Sequence, residues 1–191
     1  EAKDNFQKAY TDWLNARAQY LQARAAWIQS RTQANFNDLL EKARQATLKG
    51  NDMLVSYVQL IRTRVESTRG LSDNDKATLL PELDGYISGL QSYRDNVESA
   101  QTGRELRQVT KNMWSYWSQI RVRVKQITAE VMVAGFRVLW ERASAFAARL
   151  EVRIQDLENQ GVDTTDLRNW LDNFNSSLEL AEERLENAEL K

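Results

Sequence analysis

The chain contains no cysteine and no histidine. Composition alone therefore removes thiol nucleophiles, disulfides, Cys/His metal sites and imidazole acid–base chemistry. Carboxylates, cations and aromatic rings remain, and four groupings of them could do chemistry. Asp73-Asn74-Asp75 has the beginning of a calcium loop but neither the glycine nor the terminal glutamate that completes one, so it reads as a helix cap. The acids Glu179, Glu182, Glu183 and Glu186 could attract a cation, yet no Glu-x-x-His pair exists from which a bundle-core metal site is built. Trp114, Tyr116 and Trp117, followed by Arg121, Arg123 and Lys125, combine stacking rings with phosphate-seeking cations as a single-strand-binding surface does. On a helix facing an acidic neighbour the same cations are a solvated flank, and that is the reading preferred.

The fourth grouping is the most regular. Phe6, Trp13, Tyr20 and Trp27 recur every seven residues, and so do Arg17, Arg24 and Arg31. Rings at heptad spacing form a packing seam rather than a ligand platform. None of the four is a catalytic constellation. The sequence predicts a non-enzymatic protein with no catalytic residue, no cofactor, no metal and no small-molecule substrate.

One proline and seven glycines in 191 residues favour long helices over a turn-rich β fold. A net charge of −1 gives no general pull toward nucleic acid or an acidic membrane. The longest apolar run, 131–140, contains Arg137 and is too short to span a bilayer. The chain opens at Glu1 without an initiator methionine and lacks cysteine. Both fit a processed N-terminus and an extracellular or cell-surface location.

The elements that carry these residues follow from caps and periodicity. Thr102-Gly103-Arg104-Glu105 is a capping box opening a helix over 103–160. Its seam runs through Met113, Trp117, Ile120, Val124, Ile127, Val131, Ala134 and Val138, then slips by one residue to Leu139, Ala143, Phe146, Leu150 and Leu157. The aromatic heptads, followed by Leu40, Thr47, Leu54 and Ile61 at the same spacing, predict one helix over 3–68. A soft point is expected at Gly50, since glycine costs only ~1 kcal/mol inside a helix. Between these, a helix over 73–100 has its core face at Leu80, Leu83, Ile87, Leu90 and Val97, with Pro81 kinking it or delaying its start. Gly85 and Gly89 would allow a neighbour to approach closely. A last helix over 163–190 carries Leu167, Leu171, Phe174, Leu178, Ala181 and Leu185 on one face.

Gly70-Leu71-Ser72-Asp73-Asn74-Asp75 and Gly161-Val162-Asp163-Thr164-Thr165-Asp166 share an order: glycine, an aliphatic residue, a cap and an acid. Each glycine would take the left-handed C′ conformation. With the register of the flanking helices, this predicts an internal duplication of a long-helix, short-helix unit. The expected fold is all-α: an elongated bundle of two long and two shorter helices, in two tandem three-helix-like units sharing the central helix. Segment 41–130 would be the first three-helix bundle and 131–191 a second hairpin lacking its third member. Segment 1–40 would protrude as a half-helix. This helix order resembles spectrin-like arrays, in which the last helix of one bundle runs on into the next.

A protruding seam and an incomplete hairpin imply self-assembly, as a swapped dimer or a filament. The expected interface joins Phe6, Trp13, Tyr20, Trp27, Arg17, Arg24 and Arg31 of one copy to Phe146, Leu150, Leu171, Phe174, Leu178, Leu185, Glu179 and Glu186 of another. The alternative is a monomeric extracytoplasmic binding, sensor or adhesion module. It requires the first helix to break near Gly50 and fold back.

Overall fold

The computed structural model describes residues 1–189. These form five helices: α1 (Ala2–Gln29), α2 (Gln33–Ser67), α3 (Asp73–Ser99), α4 (Gly103–Asn159) and α5 (Thr165–Glu189). Leu190, expected to end the last helix, lies outside the described residues. The all-helical expectation holds, but there are five helices rather than four, because the first long helix is divided in two.

The division falls at residues 30–32 and not at Gly50. Ser30 is extended at φ −142°, ψ 105°, and its amide donates to the Ala26 carbonyl. Thr32 caps α2 by accepting the Asn35 amide on its hydroxyl at 3.2 Å. The Asn35 side chain closes the turn, its Nδ2 donating to the Ser30 carbonyl at 2.7 Å and the Ala26 carbonyl at 3.3 Å. Gly50 lies buried inside continuous helix. A Cβ there would make ordinary contacts, 3.4 Å from the Trp13 indole and 3.6 Å from Trp114, so packing does not demand a glycine.

The chain divides into two compact units. The first comprises Glu1–Ser67 and Asp73–Thr128; the second comprises Thr68–Ser72 and Ala129 onward. The first unit thus holds four helical segments: α1, α2, α3 and the 103–128 part of α4. Its core is Leu54, Val58, Ile61 and Val65 of α2, Leu79, Leu83, Ile87, Leu90 and Val97 of α3, and Met113, Val124 and Ile127 of α4. The α3 face is as expected except at its start, where Leu79 is buried and Leu80 only partly so. Helix α3 continues through Pro81 from a start at Asp73. The capping box forms, Glu105 N donating to the Thr102 hydroxyl at 3.2 Å and Thr102 N to the Glu105 carboxylate at 3.1 Å. A further bond from the Gln101 amide, at 2.7 Å, helps hold the Glu105 carboxyl below its ordinary range.

Charge pairs tie the helices of this unit together on its surface. Arg62 grips Asp84 with Nε at 2.6 Å and Nη2 at 3.3 Å. Arg94 reaches Asp52 at 2.6 Å, and Arg123 reaches Glu82 at 3.1 Å. The acids of α3 therefore meet cations from α2 as well as from the facing part of α4. Of the two glycines expected to admit a neighbour, only Gly89 does so: a Cβ there would collide with the Tyr116 hydroxyl, whereas Gly85 faces open space.

The second unit is a helical hairpin. Its core is small: Ala147, Ile154 and Leu171, with Leu150, Phe174 and Leu178 packed against them. The α4–α5 turn is a Schellman closure, with Gly161 at φ +79°, its amide on Glu158 O at 2.9 Å and the Val162 amide on Leu157 O at 3.1 Å. The other junction glycine does not match it. Gly70 is not left-handed, since Gly161 is the one residue with positive φ among those described. Gly70 is needed because a Cβ would drive into the backbone carbonyl of Ala134. The two similar hexapeptides thus use their glycines for different physical reasons. The two units are not tandem three-helix-like units, as the internal duplication had led one to expect: the first holds four helical segments and the second is a hairpin.

Candidate functional site

Of the seven N-terminal residues expected at an interface between copies, the four rings and Arg17 are engaged inside the first unit. Helix α1 folds back along α2. Phe6 packs on Tyr57 with ring centroids 5.5 Å apart, and Trp27 on Phe36 at 5.4 Å. Trp13 lies over Gly50, and Tyr20 is half-buried on the same side of α1. Arg17 stacks over Trp13 at 5.8 Å, while Arg24 and Arg31 are exposed. Segment 1–40 therefore does not protrude. The physical reason is the turn at 30–32, which turns the aromatic seam onto the chain's own α2.

The hairpin half of the expected interface does have an uncovered face. Met132, Leu139 and Phe146 recur by seven along α4 and are 53%, 59% and 47% exposed, and Trp170 on α5 is 48% exposed. The heptad spacing sets Met132, Leu139 and Phe146 on one face of α4, and ring contacts link Phe146 to Trp170. Phe146 meets Phe174 edge-on at 6.2 Å, and Trp170 stacks on Phe174 at 5.0 Å with a 14° interplanar angle. Leu150 and Leu178 are half-buried beneath, and Leu171 is fully buried in the seam. Leu185 continues the α5 face, partly buried. The helical wheel sets Arg142 and Arg153 of α4 and Arg184 of α5 beside this aromatic strip. Isolated exposed apolar residues are ordinary; here two aliphatic side chains and two rings are exposed along one side of a small unit.

The opposite side of the hairpin differs in charge. A shallow groove of ≈ 410 Å³ runs there between Ser144, Ala148 and Glu151 of α4 and Asn175, Glu179 and Glu182 of α5. Glu186 extends the α5 row by one helical step. Trp140 underlies this side, its indole N–H donating to the Leu178 carbonyl at 3.0 Å. The hairpin therefore carries an aromatic, arginine-flanked face and an acidic, grooved face, back to back.

A charge-assisted hub pins the base of the hairpin. Arg168 holds Glu158 with Nε at 2.8 Å and Nη2 at 2.9 Å, and also bonds Glu151. The buried Thr164 hydroxyl donates to Glu158 at 2.6 Å. The Arg168 bonds and then the Thr164 bond draw the Glu158 carboxyl down to about 2, and the bonds to Glu158 and then Glu151 raise Arg168. Because the folded value lies below the ordinary 4.5, the contribution is complete above 4.5 and lost as pH falls through about 2. The melting temperature of the parent is expected to drop across that window, and Arg168→Met to flatten the drop. Equal slopes for the two proteins would refute the assignment.

Leu139 was legible as a seam residue but not as an exposed one; Met132 lies off the expected seam, among apolar residues around the slip that should have been covered from a second direction, and Trp170, four residues before Phe174, was missed. The signal was the one-residue slip after Val138, which moves Leu139 out of the packed seam. No cluster of metal-ligating side chains occurs among the described residues, and no described helix is long and apolar enough to cross a membrane. Compared with known protein families, curated proteins and solved structures, the chain matches none. Fold and site define a class, an all-α helical-bundle protein.

Proposed function

We propose that this is a non-enzymatic structural protein that assembles with copies of itself, head to tail, through the second unit. The aromatic face of one hairpin, flanked by Arg142, Arg153 and Arg184, docks on the acidic face of the next, lined by Glu179, Glu182 and Glu186. The observation that carries this reading is the strip Met132, Leu139, Phe146 and Trp170, left about half exposed on a hairpin with a small core. The occupant is a second copy because this chain supplies the complement in sign of charge on the reverse of the same hairpin. Such a heterologous contact repeats without closing and builds a chain of subunits. The donor differs from the sequence expectation, since α1 is already engaged.

Covering what remains exposed of each side chain contributes ~1 kcal/mol, below the ~1.5–3 for full burial, so two residues must be changed together. Sedimentation velocity should show the parent's average mass rising with protein concentration and falling with added salt, which screens the arginine–carboxylate attraction. Leu139→Glu with Phe146→Glu should remain at the 22.1 kDa of one chain with an unchanged helical spectrum. A parent that stays monomeric throughout a micromolar to millimolar series contradicts the proposal. The second reading, a monomeric binding module, draws on the fold-back of α1, although the turn lies at 30–32 and α1 completes the first unit.

A further inference from the structure

The fold-back of α1 leaves a half-open cavity of ≈ 750 Å³ between α1, α2 and the start of α4, wholly within the first unit. Its walls are apolar and ring-rich, with Trp13 and Tyr20 from α1, Phe36 from α2 and Trp114 from α4. Its charged groups are all of one sign: Arg17, Arg104, Arg107 and Lys111. No carboxylate lines it, and none of the four cations is ion-paired among the described residues. The first turn of α4, from Gly103, borders the same space, so the positive end of that helix dipole adds to the field. Two hydroxyls in the wall, Thr47 and Thr110, lie 3.0 Å apart and bond to the Ala43 and Leu106 carbonyls of their own helices.

The four cations are exposed at the rim, where their charges set up a field of one sign that attracts an anion. Flat apolar surface beside guanidinium groups suits a flat ligand body with its anionic group at the rim. We infer that this cavity is a binding site for a small organic anion with a flat, apolar body and a single carboxylate, sulfonate or phosphate. The rings hold the body and the arginine–lysine rim holds the charge. The site lies in the first unit and stands independently of the assembly face in the second.

Naphthalene-2-sulfonate and its neutral counterpart naphthalene-2-sulfonamide, titrated separately by calorimetry, test this directly. The sulfonate should bind with one-to-one stoichiometry, and the sulfonamide at least about tenfold more weakly. Arg107→Glu with Lys111→Glu, both on the exposed flank of α4, should remove that preference and leave the helical spectrum unchanged. Leu139→Glu with Phe146→Glu should bind the sulfonate as the parent does, which separates this site from assembly. Equal affinity for both probes, no binding of either at millimolar concentration, or full retention of the preference in the Arg107/Lys111 variant would each overturn the assignment.

Discussion

Gly70→Ala is expected to destabilise the second unit by about 3 kcal/mol, at the upper end of what an added methyl group does to a packed site. The added carbon would meet the Ala134 carbonyl, which belongs to a continuous helix and cannot swing aside as a side-chain tip can. Val138 crowds the same point, its Cγ2 lying 3.0 Å from the position of that carbon. Gly161→Ala provides the contrast. Gly161 has φ +79° and nothing within 4 Å of its Cβ direction, so its substitution costs the left-handed penalty alone, about 1–2 kcal/mol. Amide exchange of α5 reads both. Equal protection loss in the two variants would mean that the collision at Gly70 has been relieved by movement.

Asn51→Asp should have a comparable effect on the first unit. Asn51 is 1% exposed, and its Nδ2 donates to the Leu90 carbonyl at 2.6 Å with Met113 Sδ at 3.6 Å. A carboxylate there would turn an acceptor toward an acceptor and bury a charge beside no cation. Such losses amount to about 3 kcal/mol or more. Denaturant unfolding at neutral pH measures it. A shift within about 0.5 kcal/mol of the parent, the usual size for a surface change, would show that water reaches the site.

Why some of this was legible in the sequence and some was not follows from the length scale of each interaction. The Thr102–Glu105 box and the start of α4 are set within one helical turn, and they were read correctly. Buried positions 113, 120, 124, 127 and 131 of α4 share one wheel face, so their seam was legible too. The break at 30–32 was missed because no glycine or proline marks it and no residue there needs positive φ. Two signals were nevertheless present. Thr32 with Asn35 has the spacing of a cap and its N3 partner. The series 6, 13, 20, 27 would continue to 34, whereas 40, 47, 54, 61 projects back to 33. The unbroken α4 also slips by one, after Val138, so the change of phase marks a break only together with the Thr32 cap.

The consequences of that turn were not local and could not be read from spacing. Whether Phe6, Trp13, Tyr20 and Trp27 met their own chain or another copy depended on three residues joining α1 to α2. The two junction glycines show the same limit. Identical letters in similar hexapeptides required left-handed backbone at Gly161 and bare space at Gly70, because only at Gly70 does a distant carbonyl intervene. The exposed strip on α4 was hidden for the opposite reason. Periodicity identifies a seam, but it says nothing of whether a neighbour is there to fill it.

The head-to-tail geometry is tested most directly by mixing two variants, each with one face of the hairpin disabled. One carries Leu139→Glu and Phe146→Glu; the other carries Glu179→Lys and Glu182→Lys. Each alone should sediment as a monomer, and an equimolar mixture should form a one-to-one complex that grows no further, because only one intact face remains on each partner. If the lysine variant assembles as the parent does, or if the mixture stays monomeric, the two faces of the hairpin do not bind each other.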